Sequence, residues 1–390
     1  MFDKIEHFLR QRRCTLLGIG PVSKNCVDAA IDLSNQYDVP LFLIASRRQI
    51  EAEEFGGGYV HHWSTQEFAH YIQEKDKKRK IIMARDHGGP WQSDFEVKDK
   101  LNLHQAMENA KRSYEADIES GFECIHVDPS EDIWGEPDID EILSRAFELY
   151  EFCWTIAQRQ NRKILFEIGA EKQSGDIGTI DGVDYILSKI RGFCRKNNIP
   201  FPTFIVVQTG TKVAEMKNIG SISTLLRIAH ELPAEIQIPK LVDICNRNRI
   251  YLKQHNTDYL DDETLRLYPK LGIHSANIGP EFGTRETLAL IGLLDEYNLK
   301  NLKEKLLKLA YESKKWEKWM LPETKATDYE KAVIAGHYVF SDPAFIDLKK
   351  EAQKNLNGKF KDIDAYLVEE IKKVILRYLK NFRLLSLSDL

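Results

Sequence analysis

The sequence predicts a (β/α)8 TIM barrel followed by a helical C-terminal appendage. Three observations carry this. Eight short, β-rich apolar runs recur between residues 15 and 279, and segments of helical periodicity separate them. Strands that alternate with helices imply βα units on a parallel sheet. The runs are continuous rather than alternating, as in strands buried on both faces. Eight units in roughly 290 residues suit a barrel, whose usual length is ~250. A doubly wound sheet competes, but it often carries G-x-G-x-x-G after its first strand. Here that strand runs into GIGPVSKN.

In order, the strands are TLLGIG (15–20), PLFLIAS (40–46), KIIMAR (80–85), CIHVDPS (124–130), KILFEIG (163–169), TFIVVQT (203–209), IYLKQH (250–255) and IHSANIG (273–279). The intervening helices include NCVDAAIDLSNQY, AMENAKRSYEADIESG and SISTLLRIAHEL, and RETLALIGLLDEYNL follows the last strand. Beyond residue 300 only charged amphipathic helices remain, such as DAYLVEEIKKVILRYLKNF. Residues 1–300 therefore read as the barrel carrying the site. Residues 301–390 read as a helical extension packed on the barrel or at an interface.

Composition bounds the function. The 390 residues are 43% hydrophobic and 29% charged, with a net charge of −5. That balance argues against an electrostatic grip on nucleic acid. Six cysteines stand singly with no C-x-x-C pair, which suits a reducing compartment. The N-terminus MFDKIEHFLRQRRC lacks a signal-peptide apolar region, and no run reaches the ~18 residues of a membrane span. The expectation is a soluble cytoplasmic protein with no membrane or nucleic-acid partner.

In a barrel the chemistry lies where strands end. Strand three ends in Asp86-His87, strand four in His126 and Asp128, and strand five in Glu167 with Glu171 beyond it. Strand six ends in Gln208-Thr209. Strand seven ends in Gln254-His255-Asn256, with Asp258 beyond, and strand eight contains His274 and Asn277. Ordinary readings stand beside the functional ones. Asp86 and Asp128 can cap turns. His126 and His274, inside apolar runs, suit hydrogen-bonded core histidines better than ligands. Glu171 can be a solvated loop residue, and Asp258 can cap the stretch DDETLRLY. His87 and His255 resist dismissal, because both stand at strand ends across the mouth. Two histidines with one or two carboxylates make a divalent-metal set. The ion would polarise a sugar carbonyl, and Asp86 or Asp128 would move a proton. After strand two, Arg47 and Arg48 can clamp a phosphate or carboxylate. The three glycines of EFGGGYVHHW (54–63) either approach a phosphate or form a flexible turn.

Several motifs occur together in order: D-H-x-G-P (Asp86–Pro90), G-F-x-x-I-H-x-D-x-S (Gly121–Ser130), V-V-Q-x-G (Val206–Gly210), H-x-T-D-Y (His255–Tyr259) and Gly279-Pro280. With E-F-G-G-G-Y (Glu54–Tyr59), they resemble the so-called non-catalytic subunit of class II tagatose-bisphosphate aldolase. The resemblance implies a TIM barrel related to metal-dependent class II ketose-bisphosphate aldolases and ketose-phosphate 4-epimerases. It implies metal ligands at His87 and His255 and a catalytic role for Asp86. The reading of the strand ends adds Asp128 and Glu171 as further acid/base candidates. An aldolase histidine after strand six is matched by Gln208, so Glu167 or Glu171 is left to complete the shell. The family's E-A-T-x-N-Q is replaced by Ile44-Ala45-Ser46-Arg47-Arg48-Gln49, which points to a more anionic ligand. Arg47, Arg48, Gln49, Gln208, Asn256, Asp258 and Asn277 are the expected substrate contacts.

The expectation is thus a divalent-metal enzyme (Zn, Mn or Co) acting on a phosphorylated or acidic sugar, a ketose-phosphate epimerase of the 4-epimerase type or an aldolase. The alternatives are a non-catalytic subunit that stabilises a partner aldolase, and a sugar-binding barrel. The helical tail is the expected partner surface, or a homo-oligomer contact.

Overall fold

The computed structural model describes residues 2–169, 179–223, 233–358 and 360–386. Eight parallel strands close into a barrel: β1 (Leu16–Ile19), β2 (Leu41–Ser46), β3 (Ile81–Gly88), β4 (Cys124–Val127), β5 (Leu165–Ile168), β6 (Phe204–Val206), β7 (Tyr251–Gln254) and β8 (Ser275–Ile278). Each pairs with its sequence neighbours, and β1 closes on β8 with Leu16 opposite Ser275. All eight expected strands are present. The expected helix at 221–232 lies mostly outside the described residues.

Local sequence explains how each strand gives way to its helix. Ser23, Ser64, Asn102, Asp138, Thr179 and Asp261 each accept a hydrogen bond from the first turn of a helix that follows the mouth loops. Such caps satisfy backbone donors that have no partner within the helix. The barrel interior is filled rather than hollow. Phe42 and Phe204 meet edge-on at 6.0 Å, and the Lys253 ammonium sits 5.7 Å from each ring.

Arg85 is fully buried and forks onto Asp117 at 2.6 and 2.7 Å. It also donates to the carbonyls of Ala45 and Ile50. It therefore ties β3 to the helix Leu103–Ser120 and to the loop after β2. The six cysteines are buried free thiols.

The tail helices Lys300–Glu312, Asp328–Ala335, Pro343–Leu356 and Ile363–Asn381 follow the barrel. The last of them carries Ile371, Ile375, Tyr378 and Leu379 into the main core. Leu302, Leu306, Phe345 and Leu348 form a second core with the barrel helix Pro280–Glu296. Burying such side chains stabilises by about 1.5–3 kcal/mol each, so this tail is fixed to the barrel rather than tethered. Its position matters for the site, because it comes over the barrel mouth.

Candidate metal and acid–base centre

Residues that follow one another in a strand point to opposite faces. Asp86 and His87 escape that rule through a bulge. Arg85 pairs with Ile125 and Gly88 with Val127, so Asp86 and His87 together oppose His126 alone. His87 has φ +45°, a left-handed conformation that costs a non-glycine residue energy and is common at functional sites. The bulge brings both side chains into the mouth. The glycines that follow are needed for packing. A Cβ on Gly88 would lie 2.4 Å from the Tyr114 ring, and one on Gly89 would lie 2.2 Å from the Asp128 carbonyl oxygen.

Around the pair stand His126 and Asp128 from the end of β4, Glu167 from β5, and Lys253 and His255 from the end of β7. The His87, His126 and His255 rings form a triangle with centroids 4.8, 5.2 and 5.3 Å apart. Asp128 Oδ2 holds His87 Nδ1 at 2.6 Å, which aims His87 Nε2 at His255 Nδ1, 3.1 Å away. His255 Nε2 lies 3.1 Å from Glu167 Oε1 and 3.7 Å from Asp86 Oδ1. His126 Nδ1 is 3.6 Å from both of those carboxylates. The potential donor atoms of His87, His126 and His255 lie within 4.8 Å of one another, as do those of Asp86, His126, Glu167 and His255.

The electrostatics are those of a carboxylate cluster held by cations. Burial raises the pKa of Asp86, but His87, His255 and His126 outweigh it and hold the group ionised. Burial likewise opposes charge on His87, yet Asp86 and Asp128 lift its pKa to about 9. Asp128 is lowered against the cost of burial by its bond to His87. Glu167 is lowered against the same cost, chiefly by Lys253, whose Nζ is 2.5 Å away. Burial lowers His255. Nitrogen and carboxylate donors in this number fit a divalent transition ion or zinc. His126 Nδ1, the nitrogen that faces the carboxylates, accepts from the His87 N–H at 3.1 Å, and the fully buried Nε2 has no hydrogen-bond partner among the described residues.

Above this centre opens a cavity of about 210 Å3. Asp86, His87, His255, Asn256, Asp258 and Asn277 line it, with Arg48 and Gln49 from the loop after β2. Asn277 donates to Asp86 Oδ1 at 3.2 Å. Asp258 caps a helix, though not the expected one. Its Oδ1 accepts from the backbone N–H groups of Gly279 and Glu281, while Asp261 caps Asp262–Leu271. Burial pushes the Asp258 pKa up to about 7.

Other expected residues lie elsewhere. Arg47 is not on the cavity wall. It is 2% exposed and bonded to Glu51, Glu96 and the Gly89 carbonyl, so the two-arginine clamp reduces to Arg48. Gln208 is buried beyond the residues that line the cavity. Glu171 lies outside the described residues. His274 stands at the entrance to β8, accepts from the Leu252 N–H and packs on Tyr251, a structural role. The glycine loop docks the tail: Ser341 Oγ donates to the Tyr59 carbonyl and the Tyr59 ring packs on Tyr338.

Sequence reasoning read His126 as a core histidine and passed over Lys253. Strand period would have turned both inward. With Asp128 turned inward, His126 two residues earlier shares its direction, and His255 implies Lys253 in the same way. No local signal marked the tail residues Lys318, Trp319, His337 and Tyr338, which also line the cavity.

Similarity to known proteins accords with this architecture. A probable tagatose 6-phosphate kinase from Sinorhizobium meliloti 1021 superposes with a TM-score of 0.74 at 16% identity, covering 94% of this chain and 100% of that one. A fructuronate-tagaturonate epimerase from Cohnella laeviribosi gives 0.57 at 10% identity, covering 95% and 81%. A fructose-bisphosphate aldolase from Campylobacter jejuni gives 0.55 at 12% identity, covering 98% and 94%. At these identities the likeness is one of fold. No curated protein matches the sequence. Residues 3–175, which include the first five strands and the Asp86-His87 bulge, match the family described as D-tagatose-1,6-bisphosphate aldolase subunit GatZ/KbaZ-like, the family that the motifs resemble.

Proposed function

We propose that this chain is a divalent-metal-dependent enzyme of ketose-phosphate chemistry, an epimerase of the 4-epimerase type or an aldolase. One observation carries the reading: His87, His126 and His255 form one close set of donors and Asp86, His126, Glu167 and His255 a second, the two sharing His126 and His255, at a cavity that Asp86, His87 and His255 line. Their donor set fits the ion that the class II aldolase likeness implies. His87, His126 and His255 would hold it, with Glu167 or Asp86 completing the shell. When bound, such an ion supplies Lewis-acid stabilisation of a carbonyl or enediolate oxygen.

The chain's own residues do the rest. Asp128 orients His87. Asp86, on the cavity wall, is the candidate to accept a proton from a substrate hydroxyl. Asp258, with a pKa of about 7, can hold or release a proton at neutral pH, where general acid–base groups work best. Gln49, Asn256 and Asn277 offer hydrogen bonds to a polyol chain. Lys318, Trp319, His337 and Tyr338 of the tail complete the cavity wall, and six free buried thiols suit a cytoplasmic setting.

The test is metal content of the purified protein beside His87→Ala, His126→Ala and His255→Ala. About one ion per chain, lost in each variant, supports the reading, and ketose phosphates are then screened for epimerisation and cleavage. No ion in the wild type after addition of Zn2+, Mn2+ or Co2+ removes it. A second reading, a non-catalytic subunit of an aldolase, has one observation in its favour. Lys253 already places a cation against Glu167, as a site that needs no metal would. In that case the protein would co-purify with a partner aldolase and raise its stability.

A further inference from the structure

The cavity is electrically polarised. Its floor carries the carboxylate Asp86 beside His87 and His255, with Asp128 behind His87 and Glu167 behind His255. Its roof carries Arg48 and, from the tail, Lys318. Residues 313–321 cross the mouth as a strap, anchored where the Glu215 N–H donates to the Trp319 carbonyl and the Leu321 N–H donates to Glu215. Trp319 Nε1 donates to the Tyr338 hydroxyl at 3.2 Å, and Tyr338 packs on Tyr59. The strap thereby presents Lys318 to the cavity opposite Arg48.

A count of charges shows what this roof lacks. Arg48 Nε binds Asp94 at 2.6 Å and Lys315 Nζ binds the same carboxylate at 2.9 Å. Lys318 makes no ion pair among the described residues. Its ammonium lies 4.9 Å from the Trp319 ring and 5.2 Å from the Tyr338 ring. Glu317 lies beside it in the strap, and none of Glu317, Lys315 and Asp94 lines the cavity. Of the two cations that line the roof, Arg48 shares Asp94 with Lys315 and Lys318 has no carboxylate partner among the described residues, so the roof is net positive. A phosphate monoester carries about −1.5 to −2 at neutral pH, whereas a carboxylate carries −1.

We propose that Arg48 and Lys318 form the anion subsite of this cavity and take the phosphate monoester terminus of the substrate, so that the helical tail supplies half of the binding site. The inference rests on the reading of the floor as the reacting centre. The phosphate at the roof would hold the sugar chain across the cavity, with its carbonyl end toward His87 and His255. Lys318 and Arg48 set specificity and bind; neither is placed to move a proton in the reaction.

The experiment is calorimetric titration of the full chain with D-tagatose 1,6-bisphosphate and with unphosphorylated D-tagatose, in wild type, Lys318→Met, Lys318→Arg and Arg48→Met. Metal content and thermal stability are measured on the same samples. A charge-assisted hydrogen bond is worth enough that Lys318→Met should weaken the bisphosphate by about tenfold or more. Lys318→Arg should restore much of that, and all variants should keep their metal and their melting temperature. Unchanged affinity in Lys318→Met overturns the subsite, as does a wild type that binds metal but no sugar phosphate. Equal weakening of D-tagatose would also overturn it, because the lysine would then not be reading the phosphate. Should the wild type bind bisphosphate through Lys318 and yet take up no metal, the subsite stands and the metal-enzyme reading falls.

Discussion

Replacing Arg47 by methionine separates the structural account from the one suggested by the sequence. As a substrate clamp, Arg47 would be dispensable for folding. In the structure its guanidinium is buried, with Nε 2.6 Å from Glu51, one terminal nitrogen 2.8 Å from Glu96 and the other donating to the Gly89 carbonyl at 2.9 Å. Glu96 is fully buried and Glu51 nearly so. Glu51 keeps bonds from Ser113 Oγ and the Ala52 N–H after the change, whereas Glu96 loses its cation. Removing one partner of a buried ion pair costs about 3–5 kcal/mol, because the remaining charge stays desolvated. Protonation of Glu96, whose pKa burial already raises, offsets part of this. A net loss of about 3 kcal/mol is expected from these terms. Arg48→Met, which removes a partly exposed pair, should cost about 0–1 kcal/mol. Urea unfolding followed by circular dichroism reads both, with the midpoint shifted and the slope unchanged. A loss below about 1 kcal/mol in Arg47→Met, with weakened sugar-phosphate binding, would refute the structural role.

Three further outcomes are expected. Gly89→Ala places a Cβ 2.2 Å from the Asp128 carbonyl oxygen. It should push the end of β4 away from β3 and reduce metal uptake, and normal loading measured by mass spectrometry would count against the bulge as the positioning device. Lys253→Met leaves Glu167 buried without its cation and should cost about 3 kcal/mol. Added divalent ion should then raise its melting temperature more than that of the wild type, and an equal shift in both would argue that Lys253 and the ion do not share Glu167. Glu286 is buried beneath the tail, accepts from Ser23 and Asn25, and burial raises its pKa to about 7. A carboxyl group whose pKa rises on folding stabilises most below its unfolded value near 4.5 and loses that contribution as pH climbs through about 7. Over that window the loss is about 3 kcal/mol. Glu286→Gln should flatten the pH dependence of the unfolding midpoint between pH 4.5 and 7, and a variant with the wild-type profile would remove Glu286 as its source.

The eight apolar runs and the helical segments between them determined the barrel, because buried parallel strands must be apolar on both faces. The same logic drew attention to Asp86, His87, Asp128, Glu167 and His255, since the polar residues that end such strands gather at the mouth of a barrel. Period 2 within a strand also contained His126 and Lys253, once Asp128 and His255 were taken as inward. The bulge was not legible, because it depends on the register of β3 against β4, a property of two segments 40 residues apart. Nor was the different fate of Arg47 and Arg48. Adjacent arginines look alike in one dimension, and the positions of Glu51, Glu96 and the Gly89 carbonyl draw one into the core while the other faces the cavity. The roof lay furthest from sequence reasoning. Lys318 and Tyr338 reach Arg48 and Tyr59 across more than 250 residues of chain, because the tail buries its apolar stripe on the last barrel helix and is thereby carried over the mouth. That packing is decided by the shape of the assembled barrel.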